Sequence, residues 1–317
     1  MLVYSIPLRN RFRGITVREG VLLEGPRGWG EFCAFLDYSD AECAPWLACA
    51  VESATEGWPA PVRDRVPVNC TVPVVSPERA HRIVAESGCS TAKVKVADLG
   101  SSLSDDLERV AAVRDALGPS GAVRVDANTA WDVDTAVRAI RELDRAAGGL
   151  EYAEQPCPSI EELAAVRRRV DVRIAADESI RRAEDPLRVA VAGAADIAVV
   201  KVAPLGGVRR ALEVAEACGL PCVVSSAVET SVGMAAGLAL AGALPELDFA
   251  CGLGTLSLLD GDVAHESLRP VGGLLPVPVA APAPDRFAEF AADPATTRRW
   301  EDRVARVAAA SPAALTW

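Results

Sequence analysis

The chain has 317 residues, half of them hydrophobic and 24% charged, and its 44 acidic against 33 basic residues give a net charge of −11. That length exceeds one ordinary domain but accommodates a β/α barrel of roughly 250 residues plus a smaller unit. The acidic balance and the lack of any Lys/Arg-rich run interleaved with aromatics argue against nucleic acid or anionic membranes as partners. No stretch reaches the roughly 18 uninterrupted apolar residues of a membrane insertion, so a small-molecule ligand is expected.

Taken in chain order, residues 1–10 carry no positively charged start and no small-residue cleavage site, which predicts a cytoplasmic protein. Two β-rich runs, 2–8 and 15–24, flank a polar turn at 10–14, and a helical run covers about 39–57. Residues 1–65 therefore read as a separate α+β unit. The turn residues Arg11, Phe12 and Arg13 are either a lid over the rest of the molecule or an exposed basic turn.

From 66 to 271, short runs of Val, Ile, Leu and Ala alternate with longer helical segments. Strands are expected at 66–72, 91–96, 122–126, 150–154, 172–177, 196–202, 221–225 and 247–251. The intervening segments have helical spacing, as in Val133, Val137, Ile140 and Leu143 after a start at Asp132, or a capping box in Ser159 and Glu162. Eight such units predict an α/β fold, a (β/α)8-type barrel. From Gly272, Pro/Ala-rich sequence at 276–284 leads into a polar helical run. Residues 272–317 are thus expected to return to the N-terminal unit and complete a capping domain. Nine scattered cysteines lack metal-binding spacings and are expected to be reduced and buried; Cys218 and Cys222, four apart without a second pair or a nearby histidine, read as packing.

In such a barrel the chemistry sits at the C-terminal ends of the strands. There the sequence places Lys93 and Lys95, then Arg124, Asp126 and Asn128, then Glu154, Asp177 and Lys201. Residues two apart on a strand share a face, so Lys93 with Lys95, and Arg124 with Asp126 and Asn128, point together. The steps of 28 residues from Asp126 to Glu154 and 23 from Glu154 to Asp177 each match one β/α unit. Any one of these carboxylates alone would read as a solvated loop residue or helix cap, but three at successive strand ends converge and repel unless a cation joins them. An all-oxygen cluster suits a hard cation such as Mg²⁺, with Mn²⁺ as a substitute, rather than zinc. Only His81 and His265 are present, neither at an expected strand end. A lysine crowded by other lysines and a dication is expected to have its pKa lowered toward neutrality, where it serves as a general base. Lys95 and Lys201 fall on opposite sides of the ring of strands. The natural reaction is removal of a proton next to a carboxylate, with a dication stabilising the enediolate.

Lys93-Val-Lys95, Asp126-Ala-Asn128, Glu154-Gln-Pro156, Asp177-Glu-Ser179 and Lys201, with Gly28-Trp-Gly-Glu31 in the N-terminal unit, resemble the muconate-lactonising-enzyme subgroup of the enolase superfamily over essentially the whole chain. Within it the short length, the stretch Arg124 to Asn128, the run Ser225 to Gly233 and Cys251-Gly-Leu-Gly254-Thr look most like the o-succinylbenzoate synthases of menaquinone biosynthesis. The resemblance implies dehydration of a cyclohexadiene carboxylate bearing a succinyl group. It makes Asp126, Glu154 and Asp177 metal ligands, Lys95 the base that also protonates the departing hydroxyl, and Lys201 a stabilising cation on the opposite face. Lys93 would support Lys95, Asn128 would lie near the metal-bound carboxylate, and Ser225, Ser226 and Gly254 would meet the succinyl end. The serines read equally as a helix-capping turn. Arg124 either reaches a substrate carboxylate or neutralises the acidic cluster, and Glu178, by parity, points away from Asp177. Two rival readings remain open: racemisation of an N-succinylamino acid in the same site, and an inactive barrel kept as a binding scaffold.

Overall fold

The computed structural model describes residues 1–181 and 188–310. The N-terminal strands β1 (Leu2–Phe12), β2 (Ile15–Gly25) and β3 (Gly28–Phe32) form an antiparallel sheet in that order. The turn between β1 and β2 is tighter than the expected 10–14. Phe12 pairs with Ile15, and Arg13 and Gly14, both at positive φ, make a two-residue hairpin whose twist matches the flanking strands. β3, not anticipated as a strand, is formed by the Gly28-Trp-Gly-Glu31 motif. Its Gly30 lies against the helix Asp40–Thr55, and a Cβ there would sit 1.9 Å from the Ala50 carbonyl oxygen. That helix starts at the Ser39/Glu42 capping box.

The C-terminal helix Pro294–Ala310 returns to this unit. Trp300 meets Phe32 edge-on at 5.7 Å, and Arg303 donates to the carbonyls of Ala34, Phe35 and Tyr38. The chain before it bonds β1 through Ser5 to Phe290 and Ala292 to Val3. The end of the expected helical run, 311–317, lies outside the described residues.

The expected first barrel strand, 66–72, divides. β4 (Arg65–Pro67) pairs antiparallel with a late strand, while β5 (Cys70–Val72) enters the barrel. After it come β6 (Thr91–Lys95), β7 (Ala122–Asp126), β8 (Leu150–Glu154), β9 (Ile174–Ala176), β10 (Ile197–Val200) and β11 (Cys222–Val224). These seven are parallel and neighbour one another in sequence order; β12 (Leu274–Pro276) is the partner of β4. The expected eighth strand at 247–251 is not a strand. Only Cys251 and Gly252 bridge, to Val68 and Ser225 respectively, and this two-residue segment closes the ring between β5 and β11. The architecture is a (β/α)8-type barrel with an α+β capping unit.

The helix Val133–Ala147, capped by Asp132 and by left-handed Gly148, buries Val137, Ile140 and Leu143 as its spacing predicts. Inside the barrel, Tyr152, Ala175, Ile197, Val199, Val223 and Phe249 form a separate apolar cluster that floors the mouth. All nine cysteines are free, and only Cys222 is partly exposed. No described helix is long and apolar enough to cross a membrane.

Because backbone occupies the space a Gly30 side chain would need, Gly30→Ala forces β3 and the helix Asp40–Thr55 apart. The expected loss, by denaturant unfolding, is about 2–3 kcal/mol, at the upper end of overpacking costs.

Candidate active site

Parallel register lines up the polar strand ends. Lys95 pairs with Asp126, Asp126 with Glu154, and Glu154 with Ala175, so that Asp177, two residues on, falls on the same face. Lys201 follows β10 and starts the short helix Val202–Leu205. Its strand is four positions from that of Lys95, across the ring. A cleft opens over these groups, lined on the barrel side by Lys93, Lys95, Asp126, Asn128, Asp177 and Lys201. Phe12, Arg13, Phe35 and Trp46 of the capping unit line the facing side. The hairpin tip therefore does cover the mouth: Lys95 Nζ lies 5.2 Å from the Phe12 ring centre, and the Arg13 guanidinium sits over Phe35 at 4.1 Å and donates to Tyr38 Oη.

Asp126, Glu154 and Asp177 are each 1% exposed. Each is held by a lysine: Lys93 donates to both Glu154 oxygens at 2.9 Å, Lys95 to Asp126 and to the Asn128 amide oxygen, and Lys201 to Asp177 at 2.6 Å. Burial, then repulsion from Asp126 and Asp177, outweighs Lys93 and Lys201 and pushes the Glu154 carboxyl up to about 7. Asp126 is also penalised by burial, but Lys95 and Lys93 hold its carboxyl below the ordinary range. Lys93 departs from the expected lowering: burial acts to lower its pKa, yet Glu154 and Asp126 raise it well above the ordinary lysine range. Lysine–lysine crowding is outweighed by direct contact with carboxylates.

Three buried carboxylates repelling one another fit a divalent cation by charge and by donor chemistry. As they stand, their oxygens are engaged by ammonium groups, and among the described residues no three His, Cys, Asp or Glu side chains are close enough to clasp an ion. A cation there would displace lysine contacts. His81 and His265 take no part, His81 facing Asp115 at 3.3 Å.

The residues after the strands hold unusual backbone. Asn128, Thr129 and Gln155 have φ of 45°, 70° and 37°, conformations costing about 1–3 kcal/mol for non-glycine residues. Gln155 explains its own position: its amide oxygen accepts from the backbone N–H groups of Asp177 and Ser179, and its amide nitrogen donates to Ser179 Oγ and Cys157 O. The motif after β8 thus fixes the carboxylate after β9. Glu178 accepts from the Asn128 amide at 3.4 Å.

Arg124 is not in the cleft. It is fully buried one row below, against Tyr152, and donates to Glu151, Asn69 Oδ1 and the Ala250 carbonyl, so its contacts are neither with the three carboxylates nor with the cleft. Gly254 also misses the lining: a Cβ there would lie 2.5 Å from the Asn69 carbonyl oxygen, which accounts for the glycine by packing, and Gly252 and Thr255 line the cleft in its place. Ser225 and Ser226 both line it but differ chemically. Ser226 Oγ donates to Glu229 at 2.6 Å, accepts from Val228 N at 2.8 Å, and is 2.6 Å from Thr255 Oγ1. With its one proton given to a carboxylate, Ser226 is saturated. Among the described residues, Ser225 Oγ has a single long contact, 3.5 Å to Gly252 O.

Thr71, on β5 beside Lys93, was not singled out from the sequence. It lines the cleft at 3% exposure, and its hydroxyl is buried without a hydrogen-bond partner among the described residues. The only signal for it was its place at the end of the first strand.

Comparison with known proteins bears on the family and the fold. The model described as "Enolase C-terminal domain-like" matches residues 76–282, and "Enolase N-terminal domain-like" matches 3–54. The chain is 64% identical to the o-succinylbenzoate synthase of Thermobifida fusca, covering 97% of this chain and 95% of that one. It is 57% identical to that of Mycolicibacterium smegmatis, over 95% and 93%. Among solved structures, the L-Ala-D/L-Glu epimerase of Bacillus subtilis superposes with a TM-score of 0.74 at 24% identity, over 89% of this chain and 96% of that one. The muconate lactonizing enzyme of Pseudomonas putida gives 0.74 at 23%, over 92% and 98%; at these identities the likeness is one of fold. The chain belongs to the enolase superfamily, in the family of the o-succinylbenzoate synthases.

Two substitutions separate scaffold from ligand contact here. Ser226→Ala strips donors and acceptors from a buried carboxylate and hydroxyl pair and should lower stability by about 1–3 kcal/mol. Thr71→Val removes an orphan hydroxyl at constant shape, so thermal denaturation should show equal or greater stability. A clear loss would mean that the Thr71 hydroxyl has a structural partner.

Proposed function

We propose that the chain is a metal-dependent carbon–oxygen lyase that dehydrates 2-succinyl-6-hydroxy-2,4-cyclohexadiene-1-carboxylate to o-succinylbenzoate, with loss of proton and hydroxyl from one face, in menaquinone biosynthesis. The observation that carries the reading is the pairing of Lys95 and Lys201 across one cleft above three mutually repelling carboxylates, in a chain 64% identical to an o-succinylbenzoate synthase over nearly its full length.

Asp126, Glu154 and Asp177 would hold the cation, with Mg²⁺ the best match to an all-oxygen set and Mn²⁺ a substitute. When bound, a divalent cation supplies positive charge beside the substrate carboxylate as the neighbouring carbon loses its proton. Lys95, in its neutral form, takes that proton; the ring electrons then expel the adjacent hydroxyl, which leaves as water carrying the proton from Lys95. The product is aromatic and the amine is regenerated. Lys201, from across the ring, faces the negative charge as a cation. Lys93 holds Glu154, and Asn128 holds Lys95 and the turn after β7. Ser225 is the better of the two serines for the succinyl end. The hairpin tip at Phe12 and Arg13 would exclude water from the reacting carbon.

The capping domain of this reading comprises 1–65 and 272–317, and the catalytic barrel 66–271. Support for the junction is that β4 and β12 pair where the chain enters and leaves the barrel. A cytoplasmic setting, with its thiols reduced, is proposed together with the nine free cysteines.

Purified protein assayed with Mg²⁺ should turn over the cyclohexadiene carboxylate and should lose that activity on chelation and regain it on adding metal back. Faster racemisation of N-succinylamino acids of either hand would replace the substrate assignment while leaving the lysine roles. Lys95→Ala is expected to lower kcat by about 10²–10⁴-fold or more. Its affinity for Mg²⁺, measured by calorimetry, should not fall, since Lys95 occupies an Asp126 oxygen that the cation would take; substantial residual turnover would remove Lys95 as the base.

A further inference from the structure

The cleft wall made by residues 225–228 is thin. Ser225 and Ser226 line the cleft on one side and, on the other, a second cavity bounded by Cys49, Ala203, Met234 and Leu253. Ala227 and Val228 are buried against the apolar core, and hydrogen bonds to the buried polar groups of the wall help to fix its shape. That shape is strained, since Val228 has φ of 65°, in the left-handed region that a β-branched residue strongly disfavours.

Two charged groups hold it. From the barrel side, Glu229 accepts from Ser226 Oγ at 2.6 Å and from Ala227 N at 2.8 Å. From the capping unit, Arg18 of β2 reaches across, its Nε donating to the Val228 carbonyl at 2.9 Å and its Nη2 to the Ala227 carbonyl at 3.0 Å. Arg18 is buried, lies over Phe35 at 4.5 Å, and is not part of the cleft lining. Its removal would take the Arg18 donors from two successive buried carbonyls, leaving Glu31 on Thr230, two residues beyond Val228, as the nearest remaining hold from the capping unit.

We infer that Arg18 is a positioning residue, which from the capping unit clamps the Ala227 and Val228 carbonyls and so sets the shape of the barrel wall that the ligand meets. This rests on reading the cleft as the substrate site. The capping unit then does two things at once: its hairpin tip covers the cleft, and the next strand shapes the far wall.

The test is a cycle of Arg18→Met, Val228→Gly and the double variant, with Arg18→Lys as a milder partner that keeps charge and one donor. Arg18→Met should raise KM about tenfold, equivalent to about 1.4 kcal/mol of ligand binding, with a smaller change in kcat. Because glycine adopts the left-handed conformation without strain, Arg18→Met should cost much less in the Val228→Gly background than in the natural one. Amide hydrogen exchange over 225–230 reads the wall without any ligand: it should accelerate in Arg18→Met, and less so in the double variant. If Arg18→Met does not fold, Arg18→Lys carries the same comparison. A fall in Tm with unchanged KM, additive effects in the cycle, or unchanged exchange over 225–230 would each overturn the inference. A failure of the substrate assignment would show instead as absent turnover in the unaltered protein, with the exchange result still deciding the role of Arg18.

Discussion

Repulsion among three buried carboxylates is the constraint around which the rest is arranged. Asp126, Glu154 and Asp177 are brought together because parallel neighbouring strands place equivalent residues side by side, and burial removes the water that would screen them. Without cations such a set would drive itself apart or take up protons, and burial, followed by repulsion from Asp126 and Asp177, raises Glu154 to about 7. The lysines answer it locally. Lys95 stands against Asp126, Lys201 against Asp177, and Lys93 against Glu154 with Asp126 3.6 Å away, so each carboxylate has at least one lysine beside it.

Around this charged core the supporting contacts are mostly backbone groups held by side chains from elsewhere. Gln155 fixes Asp177 through its backbone amide, and strained φ values gather at 128, 129, 155 and 228, all next to the cleft. Glu31 does the same work between the two units. From β3 it accepts from Tyr4 Oη, Thr230 and the Gly233 N–H, placing a carboxylate at the start of the barrel helix Ser231–Ala243, where the helix dipole favours it. The Gly28 to Glu31 motif thus serves packing at Gly30 and interdomain attachment at Glu31.

Much of the barrel was legible in the sequence because its signal is local. Helix starts at Asp132 and at Ser159, and strand ends at Asp126 and Glu154, follow from spacing and capping alone. Where the expectation failed, a long-range partner decided. The run 66–72 splits because its first part bonds to β12 from far along the chain, and of 247–251 only Cys251 bridges, with Gly252 just beyond it, between the neighbours of β5 and β11. Lys93 shows the same thing in electrostatics: its lysine neighbour is visible in sequence, while the Glu154 and Asp126 contacts that raise its pKa are not.

What the sequence determined by itself is the set of chemical groups and their order: lysines, then three carboxylates, then a lysine, one β/α unit apart, the pattern that places them together at a barrel mouth. Which of the remaining polar residues face the cleft was decided only by the tertiary structure. Arg124 turns out to satisfy buried neighbours, Gly254 leaves room for the Asn69 carbonyl, Ser226 is saturated by Glu229, Val228 N–H and Thr255, and the Thr71 hydroxyl has no partner among the described residues. Strand parity says that a side chain points inward, but whether its polar atoms meet protein depends on the folded positions of its partners, which for Arg124 lie 27 to 126 residues away and for Ser226 include Thr255, 29 residues on.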